Sequence, residues 1–349
     1  MSRSKVIILL LGLAGLASLQ TGCVSSILAT RAVKAPNLQR TPRAVADAEY
    51  ARKFDSFTAQ SWRLRVGPPP AELSIAVVEP GNYQFNYSIE LKEAANGWKW
   101  PEPKYAVVLP RAPLPMKGTL LLLHGYMDAK ENMMHWALCL AEAGWRCVLV
   151  DLRGHGRSTG DLIGFGAFEA RDLAQVVDDL QQRGLAGERI GIVGVSYGAS
   201  MGLLLAAQDK RVGAIVALEP FSNAAKALIE FAHGVAPQQA AEISPQDFAT
   251  AVAKAARKGG FSWNSGDVLA AMEHVTIPVL FYHGAKDTWL SPDNSRDLYV
   301  RAHPPSRLVI LPDQEHVILS MRLGNIVPEV REWFDRYLAV ALPSGGAGP

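Results

Sequence analysis

Six short aliphatic runs, Thr119–Leu123, Arg146–Val150, Arg189–Val195, Val212–Leu218, Pro278–Tyr282 and Arg307–Leu311, recur between segments long enough to be helices. Runs of this kind, bounded by turns and lacking a polar face, suit strands covered on both sides. Among the intervening segments, the clearest puts Leu173, Val176, Val177 and Leu180 on one helical face and closes at Gly184. Strand and helix in repetition predict an α/β fold: a mostly parallel central sheet with helices on both faces. Functional groups in such sheets gather just beyond the carboxyl ends of the strands, which sorts the candidate residues below. Ahead of the six runs, Leu73–Glu79 and Tyr83–Leu91 are expected as an opening antiparallel pair, with Tyr105–Leu109 as a third strand.

The rhythm breaks at residues 221–272, a segment far longer than an ordinary crossover. Within it, Ser244 followed by Pro245 and Asp247 marks the start of a helix, and Gly259-Gly260 its stop. An inserted helical cap is the expectation. Phe221, Phe231, Phe248, Phe261 and Trp263 are candidates to line a pocket beneath it, or else ordinary packing.

The run Arg189–Val195 leads straight into Gly194-Val195-Ser196-Tyr197-Gly198, and a small-residue helix follows at once. This is a GxSxG sequence between a strand and a helix, the setting in which a serine hydroxyl is held exposed on a strained turn. The two glycines let neighbouring backbone pass close to the serine. A helix starting beside Ser196 supplies N–H groups and a positive dipole end for a developing oxyanion. Ser196 is therefore the candidate nucleophile.

A serine hydroxyl needs a base with proton affinity near the working pH, and histidine has it. Of eight histidines, His135 and His274 fall in or beside helices, His303 lies at the wrong end of the sheet, and His233 belongs to the cap. His155 sits in a Gly-rich loop, and His124 and His283 in His-Gly turns. His316, five residues beyond the last aliphatic run, is the expected base. An acid between serine and histidine in chain order should orient it. Asp287, in the short loop after Pro278–Tyr282, is preferred; Glu219, at the end of the preceding run, is its rival. Asp293 reads as an early residue of the next helix. A second oxyanion donor is expected from the loop after Thr119–Leu123, where the N–H of Tyr126 would act with that of Tyr197, Met127 being the alternative.

The His124-Gly125 turn, the stretch Asp151-Leu152-Arg153-Gly154-His155-Gly156-Arg157-Ser158, the GVSYG turn, His283-Gly284-Ala285-Lys286-Asp287 and the late His316 together resemble the α/β-hydrolase superfamily from about Leu73 to Leu338. The resemblance implies an α/β-hydrolase fold over residues 71–340, carrying the cap insertion over 221–272. It implies a serine hydrolase, esterase- or lipase-like, acting on a small-molecule acyl substrate through an acyl-serine. A peptidase or thioesterase on the same fold, or an inactive hydrolase-fold binding protein, is the alternative. His155 and Arg157 are expected to build a structural turn. No His/Cys/Asp group has metal-ligand spacing and no Gly-rich phosphate loop occurs, so no metal or cofactor is expected.

The start of the chain is read separately. Arg3 and Lys5 precede an apolar run from Val6 to Leu19, the form of a signal peptide over residues 1–22 and too short to span a membrane. Leu19-Gln20-Thr21-Gly22-Cys23 resembles a bacterial lipobox, with Gln20 where an aliphatic residue is usual. Lipidation at Cys23 is the expectation, a plain cleaved signal the alternative; Val24 after the cysteine points to the outer membrane of a bacterial envelope. Residues 23–70, rich in Arg and Lys, are expected as a tether between lipid anchor and domain, solvated or resting on anionic headgroups. Residues 341–349 are expected as a tail. Cys139 and Cys147 imply no disulfide framework. A formal charge of +2 is too small to suggest a nucleic-acid partner, and no protein partner is evident.

Overall fold

A computed structural model describes residues 21–39, 48–93, 99–108 and 112–338. Residues 1–20 of the signal segment and the tail therefore lie outside the described residues. Ten strands are described: β1 (Gln60–Val66), β2 (Ala71–Val78), β3 (Gln84–Glu93), β4 (Lys99–Val108), β5 (Gly118–Leu123), β6 (Trp145–Val150), β7 (Ile190–Val195), β8 (Val212–Leu218), β9 (Val279–Gly284) and β10 (Arg307–Leu311). The helices are α1 (Thr21–Val33), α2 (Ala48–Asp55), α3 (Met134–Glu142), α4 (Glu169–Gln182), α5 (Tyr197–Ala206), α6 (Ala224–Val235), α7 (Pro237–Ala241), α8 (Pro245–Gly259), α9 (Val268–Ala271), α10 (Asp293–Arg301), α11 (His316–Leu319) and α12 (Leu323–Tyr337).

Eight strands form the central sheet in the order β1-β2-β6-β5-β7-β8-β9-β10. β1 and β2 pair antiparallel, as do β2 and β6, and the five pairings from β6 through β10 are parallel. Each of the six aliphatic runs is a strand, and β8 is buried along its whole length. β10 is the exception, half-exposed because it is an edge with no neighbour beyond it. Two apolar clusters cover the two faces. Leu121, Leu123, Ile192 and Val177 belong to one; Leu120, Leu122, Val193, Trp136 and Phe334 belong to the other. Neighbouring residues of β5 alternate between them, as strand geometry requires.

Two expectations about the first part of the chain need correction. Tyr83–Leu91 does not pair with β2. It becomes β3, which pairs with β4 from Gln84↔Val108 to Glu93↔Lys99 as a separate two-stranded sheet, while β2 takes β1 as its partner. Nor are residues 23–70 simply a tether. β1 alternates half-buried Trp62 and Leu64 with exposed Arg63 and Arg65, and the Trp62 indole N–H donates to Asp179 of α4 at 2.8 Å. Two of the basic residues that suggested a solvated linker, Arg63 and Arg65, occupy the outward side of a period-2 strand.

The cap is helical. Its α8 begins where the Ser244 side chain accepts the N–H of Asp247, and ends at Gly260 with a left-handed φ of 70°. Against α8 lies α1: Lys254 donates to the hydroxyls of Ser25 and Ser26 at 2.8 and 2.9 Å, and Ala29 and Val33 are buried with Ala255. Cys23 falls in the first turn of α1.

Candidate active site

Ser196 stands between β7 and α5 with φ 50° and ψ −111°, a conformation costly for a side-chain-bearing residue. The flanking glycines permit it. A Cβ on Gly194 would come within 2.5 Å of Ala199 Cα, and one on Gly198 within 2.4 Å of the Leu123 carbonyl oxygen. The turn is thus wedged against the end of β5. Gly125 of that neighbouring loop faces Ser196, since a Cβ there would lie 3.8 Å from Ser196 Cβ. The next residue is Tyr126, and neither its N–H nor that of Tyr197 donates to an acceptor among the described residues. These are the two amides expected to face an oxyanion. Met127 follows with φ 57° and lines the cavity next to Tyr126.

His316 begins α11, beyond the carboxyl end of β10. Its Nε2 is 3.0 Å from Ser196 Oγ, and its Nδ1 is 2.6 Å from Asp287 Oδ2. The neutral tautomer consistent with both places the proton on Nδ1, donated to Asp287, and leaves Nε2 to accept the serine proton. Asp287 Oδ1 accepts the N–H groups of Trp289 and Leu290 at 2.8 and 2.9 Å. Burial alone would raise the Asp287 carboxyl, but the charge and hydrogen bonds of His316 and His283 outweigh it and hold the group well below the usual carboxylate range. The tilted Trp289 indole covers His316 with ring centroids 5.3 Å apart.

Glu219 is also here, at the end of β8 with φ 53° and its Oε2 3.8 Å from His316 Nδ1. That separation is beyond a hydrogen bond. Both its carboxyl oxygens are buried without a hydrogen-bond partner among the described residues. Burial, reinforced by the charge of Asp287, raises its pKa well above the ordinary value. Burial thus favours the neutral form of Glu219, whereas the hydrogen bonds of Asp287 favour its charged form. Glu219, Asp287 and His316 bring donor atoms within 4.8 Å of one another. A cation there would have to take the Nδ1 and Oδ2 that already bond each other.

His283, set aside on sequence, proves to touch the site. Its Nε2 lies 3.1 Å from Asp287 Oδ2 and its Nδ1 2.7 Å from Ser295 Oγ. Its position four residues before Asp287 was legible; its contact was not. His155 is buried with Nδ1 2.8 Å from the Arg153 carbonyl oxygen, and Arg157 pairs with Asp55 at 3.0 Å. Both build the turn after β6, as expected.

Residues 118–274 match the family model of the α/β-hydrolase fold. With the sheet order and the serine turn described above, that match decides the architecture. The chain has the α/β-hydrolase fold. Among solved structures, the Pyrococcus furiosus esterase Pf2001 superposes with a TM-score of 0.59 at 19% identity, over 85% of this chain and 97% of that one. The Pyrococcus horikoshii acylaminoacyl peptidase superposes with a TM-score of 0.53 at 17% identity, over 84% of this chain and 44% of the other. The Bacillus subtilis protein YqkD is 27% identical over 210 residues, 59% of this chain and 67% of its own. On this hydrolase fold the serine turn lies where the chain changes direction across the sheet. β5 has β6 on one side and β7 on the other, so the ends of β5 and β7 open a crevice into which Gly125 and Ser196 project.

Proposed function

We propose that the protein is a serine hydrolase that cleaves a carboxylic ester through an acyl-serine intermediate, with Ser196 as nucleophile, His316 as base and Asp287 as orienting acid. One observation carries the reading: the chain of contacts from Ser196 Oγ to His316 Nε2 at 3.0 Å, and from His316 Nδ1 to Asp287 Oδ2 at 2.6 Å. In this mechanism Ser196 Oγ attacks the carbonyl carbon while His316 Nε2 takes its proton. The oxyanion is stabilised by the N–H groups of Tyr126 and Tyr197, worth about 3 kcal/mol per donor in sites of this kind. His316 then gives the proton to the leaving alkoxide, which departs as alcohol. Water, deprotonated by the same nitrogen, releases the acid and restores Ser196. Asp287, held ionised, stabilises the imidazolium formed in both halves.

The test is a fluorophosphonate probe together with p-nitrophenyl ester hydrolysis. Wild type is expected to be labelled at Ser196 and to hydrolyse the ester. Ser196→Ala should lose the label, and its kcat should fall on the order of a million-fold. An unlabelled, inert wild type would favour the inactive binding protein, and a labelled one that cleaves only amides a peptidase.

We propose further that Cys23 carries a lipid anchor in a bacterial envelope, a reading supported by Arg3, Lys5, the apolar run and the lipobox-like stretch. Among the described residues no helix is long and apolar enough to cross a membrane. Mass spectrometry of the mature N-terminus tests this; an unmodified peptide beginning elsewhere sinks it.

A further inference from the structure

A cavity of about 70 Å³ lies under the cap against the oxyanion loop, and one of its walls comes from a segment whose sequence suggested only a tether. Helix α1 contributes Leu28 and Ala32 to it, and the cap contributes Leu228, Phe248, Ala251 and Val252. Tyr126 and Met127 of the oxyanion loop close the inner end, with the Phe231 ring edge-on to Tyr126 at 5.6 Å. These side chains are apolar save for the Tyr126 hydroxyl and for Arg31 of α1, a charged residue of the lining, and the Tyr126 phenol is buried enough to push its pKa above the usual range. A site so lined selects hydrocarbon.

The cavity also has a side. It reaches the oxyanion loop at Tyr126 and Met127, and its lining includes neither Ser196, nor His316, nor the Trp289 that covers His316. A leaving group must face His316 Nε2, which protonates it, so a hydrocarbon on the Tyr126 flank is the acyl part of the ester. On a measure where a water needs about 10–15 Å³, the cavity holds about five waters, or roughly as many chain carbons.

Helix α1 is fixed there rather than lying loosely across the mouth. At its start Lys254 of α8 holds Ser25 and Ser26. Past its end the Ala35 N–H donates to the Asp161 carbonyl at 2.9 Å, and the Asn37 side chain donates to the Ser158 carbonyl at 2.8 Å. Ala29 and Val33 are buried between these anchors. Leu28 and Ala32, one turn apart, point with them into the cap.

We infer that α1 is a specificity element: with the cap it forms the acyl-binding pocket, and Leu28 and Ala32 set the length of acyl chain that the enzyme accepts, with a preference for chains of about four to eight carbons. This rests on the hydrolase reading above. The chemistry recognised is a short-to-medium aliphatic acyl group, with the alcohol part of the ester left outside the pocket.

The experiment compares kcat/KM for p-nitrophenyl acetate, hexanoate and palmitate in wild type, Leu28→Ala and Ala32→Trp. Hexanoate should be the best substrate of wild type. Leu28→Ala, which enlarges the pocket, should raise the palmitate-to-hexanoate ratio about tenfold. Ala32→Trp, which fills it, should lower the hexanoate-to-acetate ratio about tenfold. Lengthening the alcohol in a series of alkyl acetates should change kcat/KM little in any of the three. The two variants shift the preference in opposite directions, so a general loss of folding cannot imitate the result. Active enzyme whose chain-length ratios are the same in all three proteins overturns the role of α1. Sensitivity to the alcohol instead of the acyl chain overturns the assignment of the pocket. If wild type hydrolyses none of the esters, the hydrolase reading fails separately. Saturation-transfer NMR with sodium hexanoate then still reads the pocket: binding to wild type that Ala32→Trp abolishes supports it, and equal signals or none in both overturn it.

Discussion

Two carboxyl groups within reach of one imidazole pose the sharpest question at the level of single residues. Asp287 bonds His316 at 2.6 Å and is further held by two backbone N–H groups and His283, whereas Glu219 stands 3.8 Å off with both oxygens unpartnered. Two like charges this close in a buried site cannot both ionise readily, so the hydrogen-bonded Asp287 favours the charge and the unpartnered Glu219 favours its proton. Asp287→Asn should lower kcat by roughly 10⁴, because an amide favours the wrong imidazole tautomer and cannot stabilise the cation. Glu219→Gln puts a neutral isostere where burial already favours the neutral acid, and should cost less than about tenfold. Steady-state kinetics of both variants decide the matter. A crippled Glu219→Gln beside a nearly silent Asp287→Asn would transfer the acid role to Glu219. The preference for Asp287 was available from its place in a short loop after β9. The raised pKa of Glu219 was not, since it arises from burial and from the charge of a residue far along the chain.

Individual elements differ in how much of them the sequence discloses. The serine turn is legible almost atom by atom, because its glycines, strained serine and following helix are a local solution to a local crowding problem. Helix α8 is equally plain, its Ser244 cap and Gly260 stop being signals read within a few residues. The turn after β6 is read correctly as structural, yet its cause is remote. Asp151 is fully buried, accepts the N–H groups of Lys130 and Arg157 at 2.8 and 2.9 Å, and pairs with the buried Lys130 ammonium at 2.7 Å. That pair ties the loop after β5, which carries Tyr126, to the loop after β6. Of the five aromatics suggested for the cap pocket, Phe231 and Phe248 line the cavity. Phe221 joins the main core, and Phe261 and Trp263 pack against each other and the buried face of α1. Aromatic composition alone does not separate these outcomes, since all five serve burial equally well.

Across the whole molecule, stability should fall on mild acidification because two histidines are buried in neutral form. Burial pushes His135 down to about 4, and burial together with His124 pushes His155 down to about 3. Unfolded histidine takes up its proton near pH 6.5, so below that pH the unfolded chain binds protons that the native protein refuses. Each such group therefore subtracts stability as pH falls from about 6.5 toward its own folded value, at up to about 1.4 kcal/mol per pH unit. Above pH 7 neither contributes. Urea unfolding at pH 7, 6 and 5 should show the decline, and His135→Gln, which keeps a donor for the Ser320 carbonyl oxygen 3.1 Å away, should make it shallower. An unchanged slope in that variant would remove His135 as a source.

The sequence by itself determined the alternation of strands and helices, the position of the cap, the serine turn and the late histidine, because each depends on periodicity, glycine placement or chain order within a short window. Only the tertiary structure decided which strand β2 pairs with, that His283 reaches Asp287, that burial raises the pKa of Glu219, and that α1 walls the cavity under the cap. The pairing, contacts and charge states join residues far apart in the chain or depend on how deeply a group is buried. A helix rich in small residues such as α1 carries no mark of its partner: Ala29, Ala32 and Val33 fit against any apolar surface, and the neighbouring α8 is what selects one.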